Sequence, residues 1–225
     1  MTKIIENRHL RDKFFVFRDR EEAGEILAKM LKDYKDSDAI VLGIPAGGVP
    51  VAYIIAKKLN LTLDVLVVSK ITLPWNREAG YGAVAFDGTI KLNQDLIDSL
   101  GLTGKEIEEG IKETLQKVKK RVHIFREGKP PLELKNRTII VVDDGLASGY
   151  TMLTALDALK KAGAAKIIVA VPTANLNAIK RIEEKVDLVY SPNIRQVYPY
   201  AVADAYKHWS DVSEEEVKRL LQKNS

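Results

Sequence analysis

The chain has 225 residues, 46% of them hydrophobic, enough to bury a substantial core as one large domain or one domain with an appended subdomain. Without cysteine there are no disulfides, thiol nucleophiles or cysteine metal sites, and the three histidines, His9, His123 and His208, are too scattered for a zinc site. Carboxylate oxygens, which suit magnesium, remain as the metal chemistry open to it, and a net charge of +4 weakly favours an anionic ligand without requiring nucleic acid.

The amino terminus, MTKIIENRHLRDK, carries no apolar run behind its charges, and no stretch reaches the roughly 18 apolar residues of a membrane span, so a cytoplasmic protein is expected. Asp19 can cap a helix over 21–34, where Ile26, Leu27, Met30 and Leu31 recur at helical spacing. An apolar strand over 39–42, a Gly/Pro-rich turn over 43–50, a helix over 51–59 and a second apolar strand over 63–69 follow. Strands that are apolar throughout and alternate with helices predict an α/β fold, a parallel sheet flanked by helices.

Between 71 and 131 the alternation breaks. Residues 83–86 and 89–92 flank an Asp87-Gly88 turn and predict a hairpin, preceded by a polar, glycine-containing stretch over 74–82. Thr103 and Glu106 form a capping-box signature for a helix to about residue 125, basic at its end with Lys117, Lys119, Lys120, Arg121 and Arg126. This block is expected to be an insertion within a single domain over 1–225, because no linker, repeat or low-complexity stretch separates two units. Alternation then resumes: strand 138–142, helix 151–162 stopped at Gly163, strand 166–171, helix 175–185 and strand 187–190. An irregular segment over 191–209, containing Tyr198, Tyr200 and Trp209, leads to a last helix with its own Ser213 to Glu216 box.

The most informative segment runs Val142-Asp143-Asp144-Gly145-Leu146-Ala147-Ser148-Gly149-Tyr150-Thr151. A buried strand ends in two adjacent carboxylates, and a loop of small residues and hydroxyls enters a helix. In an open parallel sheet, ligands sit outside the carboxyl ends of strands, where a phosphate would meet free N–H groups of a helix start and the hydroxyls of Ser148 and Thr151. Two neighbouring acids repel unless cations or hydroxyl donors join them, so they suit ribose hydroxyls, magnesium or both. The plainer alternative is a surface turn in which Asp144 or Ser148 caps the next helix.

VVDDGLASGYT resembles the signature of type I phosphoribosyltransferases, with Ser148 in the usual Thr place. The resemblance implies a Rossmann-type core, 5-phosphoribosyl 1-pyrophosphate as substrate, a nitrogen acceptor and Mg2+. Asp143 and Asp144 would then hold the ribose hydroxyls, directly or through magnesium, and Leu146 to Thr151 the 5-phosphate. The family's pyrophosphate loop corresponds to Pro45, Ala46, Gly47 and Gly48, where relatives commonly read PRGG and often have a non-proline cis peptide, expected here near Ala46-Gly47. Ala46 removes a cation, for which Lys70 is a candidate replacement. The wider match takes in Phe17-Arg18-Asp19-Arg20, Asn76-Arg77-Glu78 and Gly82-Ala83-Val84, and is similar to a little-characterised bacterial and archaeal group. The insertion corresponds to the family's flexible hood loop, in which Arg77 and Glu78 are the candidates for a catalytic contact. Relatives acting on six-oxopurines usually have an aspartate where this chain has Ala147, which argues against that acceptor class, and relatives are often homodimers. Two other functions stay open: a non-catalytic regulator binding the same sugar phosphate, supported by Ala46, and a nucleic-acid-binding protein using the basic end of 104–129.

Overall fold

The computed structural model describes residues 3–130 and 133–223. The chain opens with strand β1 (Lys3–Ile5) and helix α1 (Arg20–Met30), then runs β2 (Ile40–Gly43), α2 (Gly48–Leu59) and β3 (Thr62–Val65). It continues through β4 (Val68–Leu73), β5 (Asn76–Ala85), β6 (Ile90–Leu92), α3 (Gln94–Leu100) and α4 (Gly104–Arg126). It returns by β7 (Thr138–Val142), α5 (Tyr150–Lys161), β8 (Lys166–Ala170), β9 (Thr173–Asn175), α6 (Leu176–Ile182), β10 (Leu188–Tyr190) and β11 (Asn193–Arg195), and ends in α7 (Glu214–Gln222).

The central sheet has six strands in the order β1-β10-β8-β7-β2-β3, all parallel. Its middle strands are buried on both faces because both sets of alternating side chains are apolar. Ile139, Val141 and Val169 pack with Met152 and Leu156 of α5 and Ile179 of α6 on one face. Val41, Ile140, Val142 and Ile168 pack with Leu27 of α1 and Val51 and Ile55 of α2 on the other. Each such side chain contributes roughly 1.5–3 kcal/mol by leaving water. The order reverses between β7 and β2, since β2 leads outward to β3 while β7 leads the opposite way through β8 and β10. A crevice opens at the carboxyl ends of strands where such a reversal occurs.

The predicted strand over 63–69 is two strands in different sheets. β3 ends at Val65, the Leu66 N–H donates to Gly43 O at 2.9 Å, and β4 begins a three-stranded antiparallel sheet, β4-β5-β6. Leu66, Val67 and Val68 are all buried, so an unbroken apolar run conceals the change of sheet. The polar stretch over 74–82 also differs from expectation, because most of it is strand β5. Its Gly82 allows close approach: a Cβ there would lie 2.6 Å from Lys91 O on β6. Tyr81 is buried and its hydroxyl reaches Glu106 O of α4 at 3.4 Å, whereas Trp75, at the β4 to β5 turn, is exposed. α4 carries the full capping box of Thr103 and Glu106. The far boundary expected for this block, Pro131, lies outside the described residues.

α2 starts at Gly48, earlier than predicted, with Pro50 in its first turn, where a missing N–H costs nothing. No described helix is long and apolar enough to cross a membrane.

Candidate functional site

β2 and β7 are neighbours, paired from Ile40 and Ile139 to Gly43 and Val142, so the loops leaving them lie side by side at the reversal point. After β7, Leu146 N–H donates to Thr173 O at 2.9 Å and Leu146 O accepts from Asn175 N–H at 2.8 Å, anchoring the loop to β9. Ala147 and Ser148 are exposed beyond that anchor. The residue preceding α5 is Gly149, at φ +83°, and no side chain caps the helix. The alternative in which Asp144 or Ser148 serves as the cap is therefore not what the structure shows. A left-handed turn at glycine brings the chain into the helix while leaving its first N–H groups without a side-chain acceptor. Arg181 of α6 donates to Ser148 O and lies 4.9 Å from the Tyr150 ring, bracing the loop.

The loop after β2 is built the same way. Ile44 N–H donates to Val142 O at 2.8 Å, Gly48 N–H donates to Ile44 O at 3.0 Å, and α2 also begins without a side-chain cap, at Gly47. The cis peptide expected near Ala46-Gly47 lies one bond earlier, at Pro45-Ala46. Both glycines are required by contact with the other loop. A Cβ on Gly48 would stand 2.6 Å from Val142 O and 2.8 Å from the Asp143 Cα, and one on Gly47 would overlap the Asp144 carboxylate, 2.6 Å from its Cγ.

Between these loops the two acids sit together, largely buried, with Asp144 N–H donating to Asp143 Oδ1 at 2.9 Å. Arg20, from the first turn of α1, places Nε and Nη2 on Asp144 Oδ2 at 3.0 and 2.9 Å. Tyr206 donates its hydroxyl to Asp144 O at 2.6 Å. Burial, and then the charge of Asp144, holds the Asp143 carboxyl well above the ordinary carboxylate range. Burial raises Asp144 too, but Arg20 opposes it there, which makes Asp143 the more readily protonated of the two. Burial, and then the charge of Asp144, pushes the Tyr206 phenol up, so it remains a hydrogen-bond donor.

An uncapped phosphate-type loop, a neighbouring glycine loop and an acid pair at one strand reversal invite comparison with known proteins, and the phosphoribosyl transferase domain family matches residues 88–205, which include the acids and the whole loop to Thr151. The chain belongs to that family. A Mycobacterium tuberculosis protein named as a phosphoribosyl transferase is 34% identical over 206 residues, 92% of this chain. The chain spans only 46% of the length of that curated relative. The crystal structure of a Thermus thermophilus protein is 32% identical, covers 92% of this chain and 98% of its own, and superposes with a TM-score of 0.74. An Aquifex aeolicus protein at 14% identity shares the fold alone, with a TM-score of 0.50 over 90% of this chain and 82% of that one.

Within this phosphoribosyltransferase fold, Lys70 stands exposed on β4, its stem lying over Gly80, where an added Cβ would clash with the Lys70 Cγ. Arg77 and Glu78 belong to β5, but their side chains lie outside the described residues. His208 is exposed, its backbone N–H donating to Arg18 O at 2.9 Å. Among the described residues no group of three or more histidines or carboxylates gathers as a metal site. Two adjacent carboxylates, one of them paired with Arg20, would fit magnesium's habit of binding through one or two acids together with substrate oxygens and water. At the basic end of α4, Arg121 pairs with Glu214 at 3.1 Å and Arg126 pairs with Asp64, so part of that charge is committed within the fold. Sequence reasoning missed Arg20, Tyr206 and Arg181 as neighbours of the site. Only Arg20 carried a signal, as part of the run shared with the family.

Proposed function

We propose that the protein binds 5-phosphoribosyl 1-pyrophosphate and transfers its phosphoribosyl group to a nitrogen acceptor, most simply a nucleobase outside the six-oxopurines, releasing pyrophosphate. The observation that carries this reading is the pair of helix starts, α2 and α5, both without side-chain caps and flanking two carboxylates at the β2/β7 reversal. Each start offers N–H groups and the positive end of a helix dipole to an anion. The α5 start, with Ser148 and Thr151, suits the 5-phosphate, and the α2 start suits the pyrophosphate. Asp143 and Asp144 suit the ribose hydroxyls between them.

In the reaction the bond from the anomeric carbon to pyrophosphate oxygen breaks, a carbon–nitrogen bond forms on the opposite face, and any proton displaced from the nitrogen passes to the departing pyrophosphate or to solvent. Magnesium, when bound at the acids, would supply positive charge to the leaving group. The chain's own contribution is positioning: two anion seats at fixed separation hold the sugar with its anomeric carbon exposed to the acceptor. The hairpin of β4 and β5 is the candidate cover that excludes water. Ala147 within the phosphate loop leaves no carboxylate there for a six-oxopurine. Ala46, which leaves the α2 loop without a cation, is the observation favouring a second reading, a regulator that binds the sugar phosphate without turning it over.

Calorimetry with 5-phosphoribosyl 1-pyrophosphate and magnesium tests the assignment, using wild-type protein and an Asp143→Asn, Asp144→Asn double variant. Wild-type binding that the variant loses is expected. Folded wild-type protein that does not bind would end the proposal, and binding without pyrophosphate release across an acceptor panel would identify the regulator.

A further inference from the structure

Resting on that reading, the inference concerns which cation meets the diphosphate. Residues Ile44 to Gly48 contain no basic side chain. Among the described residues the ion pair at the two acids is that of Asp144 with Arg20, which comes from a different element, the first turn of α1.

Arg20 directs Nε and Nη2 at one oxygen, Asp144 Oδ2, so its fork is not matched to both oxygens of the carboxylate. A guanidinium is best satisfied by two oxygens set side by side, as on a carboxylate or a phosphate. Asp144 Oδ2 also faces the pyrophosphate loop, since it is the atom a Cβ on Gly47 would overlap. One carboxylate oxygen thus separates the guanidinium from the backbone at the start of α2. The remaining donor, Nη1, is held by Ser210 O at 2.8 Å, and the guanidinium carbon lies 4.0 Å from the Trp209 ring centroid, a surface along which a planar cation can turn. Arg20, Trp209, Pro50 and Tyr53 line a cavity of about 600 Å³ beside the opening turns of α2.

From these contacts we infer that Arg20 is the diphosphate-binding cation of the site, supplied by α1 in place of a loop residue. In the structure it neutralises Asp144. When the ribose hydroxyls take up the acid, the fork turns to the paired oxygens of the diphosphate.

Ribose 5-phosphate shares the sugar and the 5-phosphate of the proposed substrate and lacks the diphosphate, so comparing the two ligands isolates the contact. Their affinities are measured by calorimetry in magnesium buffer for wild type, Arg20→Lys and Arg20→Gln, with melting curves to establish folding. Arg20→Gln is expected to weaken 5-phosphoribosyl 1-pyrophosphate by about 10- to 100-fold, the size of one to two charge-assisted hydrogen bonds. Ribose 5-phosphate should change by less than about threefold, because its hydroxyls take up Asp144 but it carries no diphosphate for the freed fork to meet. Arg20→Lys, a point charge without the fork, should fall between, and it carries the same comparison if the Gln variant does not fold. Equal losses for both ligands would mean that Arg20 only positions Asp144 and would overturn the inference, as would no loss for either. Wild-type protein that binds both ligands equally would overturn it while leaving the sugar-phosphate site standing. Wild-type protein that binds neither would remove the reading of the site itself.

Discussion

Gly47→Ala tests how tightly the two loops are locked. Gly47 has φ −64° and ψ −28°, a conformation any residue adopts, so only space opposes a side chain there. The added methyl would stand 2.6 Å from Asp144 Cγ and 3.3 Å from Oδ1, and overlap Oδ2 outright. The carboxylate must therefore swing away from Arg20 or the α2 start must lift off the acids. The first response breaks an ion pair whose side chains are only 12% and 15% exposed, and the second gives up the packing of the α2 start on the β7 loop. Separating a buried pair costs roughly 3–5 kcal/mol, and the residual exposure brings this to about 2–3 kcal/mol. Against a usual stability of about 5–15 kcal/mol the variant still folds. Urea unfolding should show a lower midpoint with an unchanged slope, and calorimetry should show lost affinity for 5-phosphoribosyl 1-pyrophosphate. Gly104→Ala, at the start of α4 with nothing within 4 Å of its Cβ position, is the control and should stay within about 1 kcal/mol of wild type. A Gly47→Ala protein as stable as that control, with full affinity, would refute the packing argument.

Asp143 gives a dependence on pH. Its folded pKa lies above the ordinary 3.8, so the folded state holds a proton that the unfolded chain has released. Stability should accordingly fall as pH rises from the ordinary carboxylate value through the folded pKa, and urea titrations of Asp143→Asn should show this dependence flattened. Over the same window substrate binding should strengthen as the acid ionises, a trend calorimetry at several pH values would reveal. Tyr206→Phe keeps the ring against Phe17 but strands the Asp144 carbonyl, and thermal or urea unfolding should show a loss of about 1–2 kcal/mol.

What the sequence made legible follows from where the determinants lie. β7 is read to the residue and β2 and β8 to within one, because strands covered on both faces are apolar throughout and bounded by turns. The Thr103 and Glu106 box and the Gly163 stop are local chemistry and appear where expected. The acid loop was legible as a motif for the same reason. By contrast β1, β9 and β11 have three residues each and lack the tight turn that announces the equally short β6 or the preceding helix that announces β10, and the step from β3 to β4 is hidden inside one apolar run. Arg20 and Tyr206 stand 124 and 62 positions from Asp144, so no window of sequence contains the contact that gives either one its role. Nor did the motif reveal that Gly149, and not an acid or a hydroxyl, opens α5.

The environment of Asp144 is assembled from opposite ends of the chain: Arg20 holds its carboxylate, Tyr206 holds its carbonyl, and Arg20 is itself tied to Ser210 across 190 positions. Both ties come from segments outside the central β2–β7 pair, which is held by its own ladder. Either segment can therefore open locally with the β2–β7 pair intact. A partly opened molecule that has released either segment would keep β2, β7 and their helices while losing the electrostatic balance between the acids, which makes binding competence a report on the completeness of folding.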